Sequence, residues 1–196
     1  MPEMNSSVAP GSGILMAGTK GVLCSAIGGQ GRCASALAQA TTQPGKDLGE
    51  ALADSARLIK SGLGVEVITI DFGSWDHHDS YGTAAYGQMQ KMVDALARSI
   101  DAFMRDLGEQ RSRVTLVTIS EFGRRVAENG NRGLDHGWGN MMLVAGAGVR
   151  GGRYHGTWPG LAAGKLVDGD LAVTTDYRQV LGEVVHKRFP SKDVTQ

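Results

Sequence analysis

Apolar residues recur at helical spacing in three stretches of this chain, and each stretch predicts an amphipathic helix. The first, residues 47–62, opens with an aspartate that can cap a helix and stops at a glycine. The second and clearest, residues 89–107, has large apolar residues three or four positions apart with polar residues between them. The third, residues 174–189, carries its apolar stripe after Thr174 or Thr175 as the capping residue. Each helix is expected to bury one face against a core.

Nearly continuous apolar runs between these helices predict strands. Residues 64–73, 113–123 and 141–148 each contain such a run, and the first two are rich in β-branched residues. A strand, a helix and a second strand in succession form the crossover unit of a parallel sheet. The sequence therefore predicts the α/β fold class, with a mostly parallel sheet flanked by helices.

Length and composition narrow the organisation of the chain. Its 196 residues are enough for one α/β domain with a proper core. Residues 1–46 are rich in Gly, Ser, Ala, Thr and Gln and show no helical or strand period, so they predict a loosely ordered arm before an α/β domain at 47–196. Cys24 and Cys33 are too few for a disulfide scaffold; ordinary thiols are the simpler interpretation, and a disulfide between them would require an exported protein.

Charge and hydropathy argue against two classes of partner. Lys plus Arg number 20, as do Asp plus Glu, so the chain has no net charge to attract nucleic acid or an anionic membrane. No apolar run reaches the roughly 20 residues of a membrane-spanning helix. The segment GILMAG, residues 13–18, is short, contains glycine and lacks a basic leader, so it predicts neither a membrane span nor a cleavable signal peptide.

Acidic and imidazole side chains follow the predicted strands. The sequence IDFGSWDHHDS, residues 70–80, comes where the first strand ends, Glu121 follows the second strand, and LDHGWGN, residues 134–140, precedes the third. Ligands bind outside the carboxyl ends of the strands in open α/β sheets, because the loops converge there. The residues that we expect to meet at one metal ion are Asp71, Asp76, His78, Asp135 and His136.

A cation would explain why so many acids share one edge of the sheet. Ionised carboxylates within a few ångströms of one another repel unless a positive charge lies between them. Mixed oxygen and imidazole ligands suit zinc, manganese or iron, a carboxylate-dominated subset suits calcium or magnesium, and the sequence does not choose. A bound divalent metal lowers the pKa of water to about 7 and polarises a carbonyl or phosphoryl oxygen, which favours hydrolysis.

Glu121 and Arg124 are the candidate catalytic residues. Glu121 is placed to act as a general base, and Arg124 to hold an oxyanion of the substrate. The alternative is structural, with Glu121 paired to Arg124 or Arg125 at the sheet edge.

Three further side chains beside the candidate ligands are predicted to contact substrate: Trp75, His77 and Trp138. The two tryptophans would form an aromatic wall, and packing over the sheet edge is their alternative role. Because adjacent residues of an extended chain point in opposite directions, only one of His77 and His78 is expected to face the metal.

Several motifs, in order along the chain, resemble one bacterial family. VEVITIDFGSWDHHDS, VTLVTISEFGRRVAENGNRGLDHGWGNMMLVAGAGVRGG and DLAVTTDYRQVL are similar to the C-terminal half of the family known as domain of unknown function 1501, over about residues 47–190. That family resembles a branch of the alkaline phosphatase and sulfatase superfamily. The resemblance implies an alkaline-phosphatase-like partial core, one or two divalent metals at the strand ends, and hydrolysis of phosphate or sulfate esters.

The family pattern places an acid at the strand end, followed by Trp, Asp, a variable residue and His. In this sequence these are Asp71, Trp75, Asp76 and His78, which makes His77 the variable position. The family's SEFGR and DHG motifs fall on residues 120–124 and 135–137.

The chain departs from the family on its N-terminal side. Relatives begin with an exported leader, often for the periplasm, and with a strand ending in an aspartate-rich DGGND-like motif, which nothing here matches. The superfamily's Ser, Thr or modified Cys nucleophile belongs to that same half, and Cys24 lacks the Pro and Arg of the sulfatase pattern. We therefore expect the chain to be the C-terminal part of a larger fold, with its localisation left open.

The predicted function is a metal-dependent hydrolase of ester-type bonds that uses a metal-activated water on a small-molecule ester. Phosphate or sulfate esters follow from the resemblance, and lactones or carboxylic esters are equally compatible with direct attack by water. The alternative is a non-catalytic metal-binding or interaction domain, the remnant of a larger hydrolase fold. Sheet edges left uncovered by a missing half would favour a homodimer.

Overall fold

The structure, a computed structural model, describes residues 14–18, 24–25, 46–73 and 75–190, and for residues 14–18, 24–25 and 46–47 it describes the backbone alone. Cys33 and most of the predicted arm lie outside these residues. A Cys24–Cys33 disulfide therefore also falls outside the described part of the chain. Among the helices that are described, none has the length and apolar character needed to cross a membrane.

Three α-helices lie close to the stretches that periodicity predicts. They are α1 at Lys46–Lys60, α2 at Gln88–Asp106 and α3 at Tyr177–Arg188. The last helix starts later than predicted, because Asp176 is the capping residue: its carboxylate accepts a hydrogen bond from the backbone N–H of Arg178 at 2.9 Å. Two short 3-10 helices, Gly108–Arg113 and Ala163–Lys165, complete the helical segments of the described chain.

Seven strands form two sheets in the part of the chain that the structure describes. Their bounds are β1 Ile14–Gly18, β2 Cys24–Ser25, β3 Val67–Asp71, β4 Thr115–Thr118, β5 Gly123–Arg124, β6 His136–Gly137 and β7 Val144–Gly146. The larger sheet has the order β2-β3-β1-β4-β7, and β5 and β6 form the smaller one. In the larger sheet β1 pairs in parallel with β3 and with β4, whereas the edge pairs β2–β3 and β4–β7 are antiparallel.

The structure confirms the α/β class and corrects the predicted strands. Where a mostly parallel sheet was predicted, the observed sheet is mixed, with antiparallel pairs at both edges. Strands β1 and β2 lie within residues 1–46, where the sequence pattern indicated no regular element. The run ILMAG lacks the alternation that marks a strand, and its extended state depends on hydrogen bonds to strands far along the chain.

Helices cover both faces of the larger sheet. Leu116 belongs to one buried cluster with side chains of α1 and α2, whereas its neighbour Val117 is fully buried in a second cluster with Val184 of α3. Successive strand residues point to opposite faces, so α1 and α2 cover one face and α3 the other. The chain segments that follow the C-terminal ends of β3 and β4 extend from this helix-covered sheet.

Candidate metal centre

Two loops meet beyond the ends of β3 and β4, and backbone hydrogen bonds join them. We call residues 75–81 the first loop and residues 125–136 the second loop. The backbone N–H of Leu134 donates to the carbonyl of His77 at 2.9 Å, and that of Ser80 donates to the carbonyl of Asn131 at 3.0 Å. The long second loop, which has no periodicity of its own, is therefore held against the first.

Asn129 organises this contact from within the second loop. Its Nδ2 donates to the carbonyl of His78 at 3.0 Å and to Oδ1 of Asp135 at 2.9 Å. Its Oδ1 accepts from the backbone N–H groups of Asn131 at 2.9 Å and Gly133 at 3.0 Å. The sequence reasoning missed Asn129, although an asparagine two residues before another in a Gly-rich loop is a signal for a turn stabilised by the side chain.

Asp76, His78 and His136 come together where the loops meet. One ligand-type atom from each lies within 4.8 Å of the other two. Nδ1 of His78 is 3.1 Å and Nε2 of His136 is 2.9 Å from Oδ1 of Asp76, and the two imidazole rings are 4.9 Å apart between centroids. We call these three residues the cluster; all of them are exposed to solvent.

Arg124 of β5 lies beside the cluster with a side chain that is only 16% exposed. Its Nη2 donates to Oδ1 of Asp76 at 2.8 Å and to the carbonyl of Trp75 at 2.7 Å, and its Nη1 donates to the carbonyl of Leu134 at 2.5 Å. Both terminal nitrogens therefore donate to the protein. This differs from the sequence-based expectation that Arg124 holds an oxyanion of the substrate.

Phe122 forms an aromatic support below the cluster. Its ring stacks on the imidazole of His136 with centroids 4.0 Å apart and an angle of 11° between the planes. The guanidinium carbon of Arg124 lies 4.7 Å from the centroid of the same ring. The sequence reasoning did not single out Phe122, although its place inside the SEFGR motif, two residues before Arg124, was an available signal.

Opposite charges keep Asp76 ionised. Its slight burial favours the neutral acid, but hydrogen bonds from His136 and Arg124, with the nearby charges of His78 and Arg124, hold the pKa of Asp76 below its usual value. At neutral pH the cluster therefore contains a carboxylate that can act as an anionic ligand.

His77 points away from the cluster. It is 5% exposed, its ring lies 6.5 Å from the ring of Trp75, and its Nε2 has no hydrogen-bond partner within the described residues. Burial first, and then the charge of Arg124, lower the pKa of His77, while Asp76 opposes the shift. The chain therefore buries the imidazole of His77 and leaves only His78 in the cluster, while the contact of His77 with substrate stays a prediction.

Three other predicted site residues are not part of the cluster. Asp71 ends β3; its Oδ2 is buried without a hydrogen-bond partner in the described chain, and this burial raises the pKa of the carboxyl group. Asp135 is exposed and its carboxylate accepts from Asn129. Glu121 is exposed in the turn after β4.

The two tryptophans differ in environment. Trp75 is half-buried, and its ring meets that of Phe72 edge to face at 5.5 Å and 81°. Trp138 is 72% exposed just after β6. The structure thus gives Trp75 the packing contact that was its alternative role, and it leaves Trp138 accessible near His136 in the sequence.

Comparison with known proteins identifies one family. A family model described as "Protein of unknown function (DUF1501)" matches residues 34–182, a range that contains the cluster, both loops and the first half of α3. Neither curated proteins nor solved structures yield a match to this sequence. Since the matched range is more than half of the chain, the protein belongs to the DUF1501 family.

Proposed function

We propose that this protein is a metal-dependent hydrolase of ester-type bonds. The observation that carries the proposal is the meeting of Asp76, His78 and His136 around a single point, although His136 lies 60 positions after Asp76 in the sequence. Exposed acids alone are common on protein surfaces, but a carboxylate with two imidazoles directed at it is a donor set that metals bind.

The donor set fits a transition metal better than calcium or magnesium. One carboxylate oxygen and two imidazole nitrogens suit zinc, manganese or iron, whereas calcium and magnesium prefer oxygen ligands. Three protein ligands with open positions are typical of catalytic rather than structural zinc sites. When bound, such a metal lowers the pKa of its coordinated water to about 7 and polarises the carbonyl or phosphoryl oxygen of the ester.

The residues of this chain divide into ligands and supporting groups. Asp76, His78 and His136 hold the metal, and their exposure gives a small ester access to it. Glu121, in the exposed turn after β4, is the proposed general base. Trp138 is the proposed substrate contact, because its exposed ring follows His136 by two residues.

The proposed substrate class rests on the resemblance to the alkaline phosphatase and sulfatase superfamily and on the position of the ligands beyond the strand ends. A sheet with helices on both faces and ligands beyond its strand ends is consistent with an alkaline-phosphatase-like core, and that superfamily resemblance favours phosphate or sulfate esters. Direct attack by water fits a lactone or a carboxylic ester as well. Asp71, whose buried oxygen has no partner in the described chain, is proposed as a ligand of a further metal position.

The test removes metal with a chelator and restores one metal at a time. We expect the wild-type protein to bind one zinc or manganese ion through the cluster and to regain turnover on one of four substrate types: phosphate, sulfate, carboxylic ester or lactone. His78→Ala and His136→Ala should lose both binding and turnover. His186→Ala is the matched control, since His186 is exposed on α3 outside the cluster. Metal affinity and turnover that are the same in His78→Ala as in the wild type would refute the proposal.

A non-catalytic metal-binding or interaction domain is the second candidate. It is favoured by the large apolar side chains that are exposed between positions 138 and 177, among them Trp138, Met141, Tyr154 and Trp158. This candidate predicts bound metal without turnover on the whole substrate panel. It also predicts a homodimer, which sedimentation at several concentrations would show as a mass that rises with concentration.

A further inference from the structure

We propose that Arg124 is a positioning residue that aligns Asp76 and His136 for metal binding, an inference that rests on the proposed function. A guanidinium beside a carboxylate ligand is usually expected to neutralise it. In this protein the same group also contacts the backbone of both loops, so that its geometry matters as well as its charge.

Three acceptors from two loops converge on this one side chain. Trp75 and Asp76 belong to the first loop, whereas Leu134 belongs to the second loop, two residues before His136. Arg124 itself lies opposite His136 in the β5–β6 pair. The planar fork of an arginine can reach carbonyl and carboxylate oxygens in fixed directions, which a lysine ammonium cannot do. Arg124 therefore sets the separation between the loop that carries Asp76 and the loop that carries His136.

The ring of Phe122 extends this alignment to the imidazole of His136. That imidazole has Phe122 stacked on its face at 4.0 Å and Asp76 at its Nε2 edge at 2.9 Å. Arg124 contacts both of these partners, through the hydrogen bond to Asp76 and through its position over the Phe122 ring. Asp76, His136, Phe122 and Arg124 therefore contact one another in sequence around a ring. These contacts restrict rotation of the His136 imidazole.

Charge and geometry have opposite effects on metal affinity. A fixed positive charge next to Asp76 repels a divalent cation, whereas correct alignment of the ligands favours its binding. Arg124→Lys separates the two effects, because it keeps the charge and loses the planar fork. Arg124→Gln removes both the repulsion and the alignment, so its affinity should fall between those of the wild type and Arg124→Lys.

The experiment titrates Co²⁺ into the chelator-treated chain of residues 1–196 and follows visible absorption, which reports the coordination geometry. Partners that orient a metal ligand typically contribute about 10–100-fold to affinity, so Arg124→Lys should bind Co²⁺ about 10–100-fold more weakly and with altered absorption bands. Arg98→Gln is the matched control, because Arg98 is exposed on α2 and pairs with Asp94 at 2.7 Å, away from the cluster. Far-UV circular dichroism checks that each variant is folded.

A second variant covers the case in which Arg124→Lys does not fold. Phe122→Leu leaves every charge in place and removes the ring that supports His136 and Arg124, and it should weaken Co²⁺ binding in the same direction. Unchanged affinity and unchanged absorption in the folded Arg124→Lys protein would overturn the positioning role. An Arg124→Gln protein that binds Co²⁺ more tightly than the wild type would also overturn it, since removal of the repulsive charge would then outweigh the loss of alignment.

A metal-free measurement distinguishes failure of this inference from failure of the proposed function. Ring ¹⁵N chemical shifts of His136 report its contact with Asp76 without any metal, and they should change in Arg124→Lys and stay unchanged in Arg98→Gln. A wild-type protein that binds no Co²⁺ would refute the proposed function, while the ¹⁵N shifts would still decide whether Arg124 positions His136. Shifts that are identical in the wild type and Arg124→Lys would overturn the inference.

Discussion

Replacing Gly133 by alanine should separate the two loops that carry the cluster. A Cβ atom on Gly133 would lie 2.0 Å from the carbonyl carbon of His78 and 2.2 Å from its oxygen, where ordinary contacts are 3.4–4 Å. Both atoms belong to the backbone, so no side chain can rotate away. The loops would have to move apart by more than about 1 Å to relieve the overlap.

The hydrogen bonds that break when the loops separate set the expected size of the effect. The bonds from Leu134 to His77 at 2.9 Å and from Asn129 to His78 at 3.0 Å both cross between the loops near Gly133. Each such bond contributes on the order of 1 kcal/mol to stability, so Gly133→Ala should lower the free energy of unfolding by about 2–3 kcal/mol. A displacement of about 1 Å at reacting groups costs on the order of 100-fold in rate, and turnover should fall by about that factor.

Gly130→Ala is the matched control, since Gly130 lies in the same loop and an added Cβ would meet no atom within 4 Å. Neither glycine has a left-handed backbone, so the comparison isolates the contact with His78. Urea unfolding of the two variants and metal titration measure the effects. If the unfolding free energies agree within about 0.5 kcal/mol and the metal affinities are equal, the steric reasoning is wrong.

Two further predictions concern pH. Burial lowers the pKa of His77 below 6.5, so in metal-free protein the unfolded chain takes up this proton first as the pH falls. Stability should therefore drop as the pH falls below 6.5, and the drop should be smaller in His77→Phe. An equal pH dependence of the urea-unfolding free energy in the two proteins would contradict the burial argument. The hydrogen bond from Arg178 lowers the pKa of Asp176 to about 2, so its stabilisation is present above 3.8 and lost as the pH falls through about 2. The difference in Tm between wild type and Asp176→Ala should therefore shrink from pH 4 to pH 2, and a constant difference would show that the charge of Asp176 contributes nothing to the cap.

Local patterns predicted much of the scaffold. Helix α2 begins and ends one residue from the predicted stretch because its apolar spacing is a property of the segment itself. The runs at β3 and β4 were recognisable for the same reason. Sheet order was not predictable in this way, because the pairing of β1 between β3 and β4 depends on hydrogen bonds between distant segments.

The sequence by itself determined which chemical groups the candidate site contains, because Asp76, His78 and His136 follow or precede strands whose ends must meet at one sheet edge. Only the tertiary structure decided how those groups are oriented: it buries His77 and directs Arg124 to Asp76 and to the backbone of both loops. The physical reason is that the direction of a side chain in an irregular loop depends on contacts with residues far away in the sequence, and no periodicity of the segment encodes those contacts.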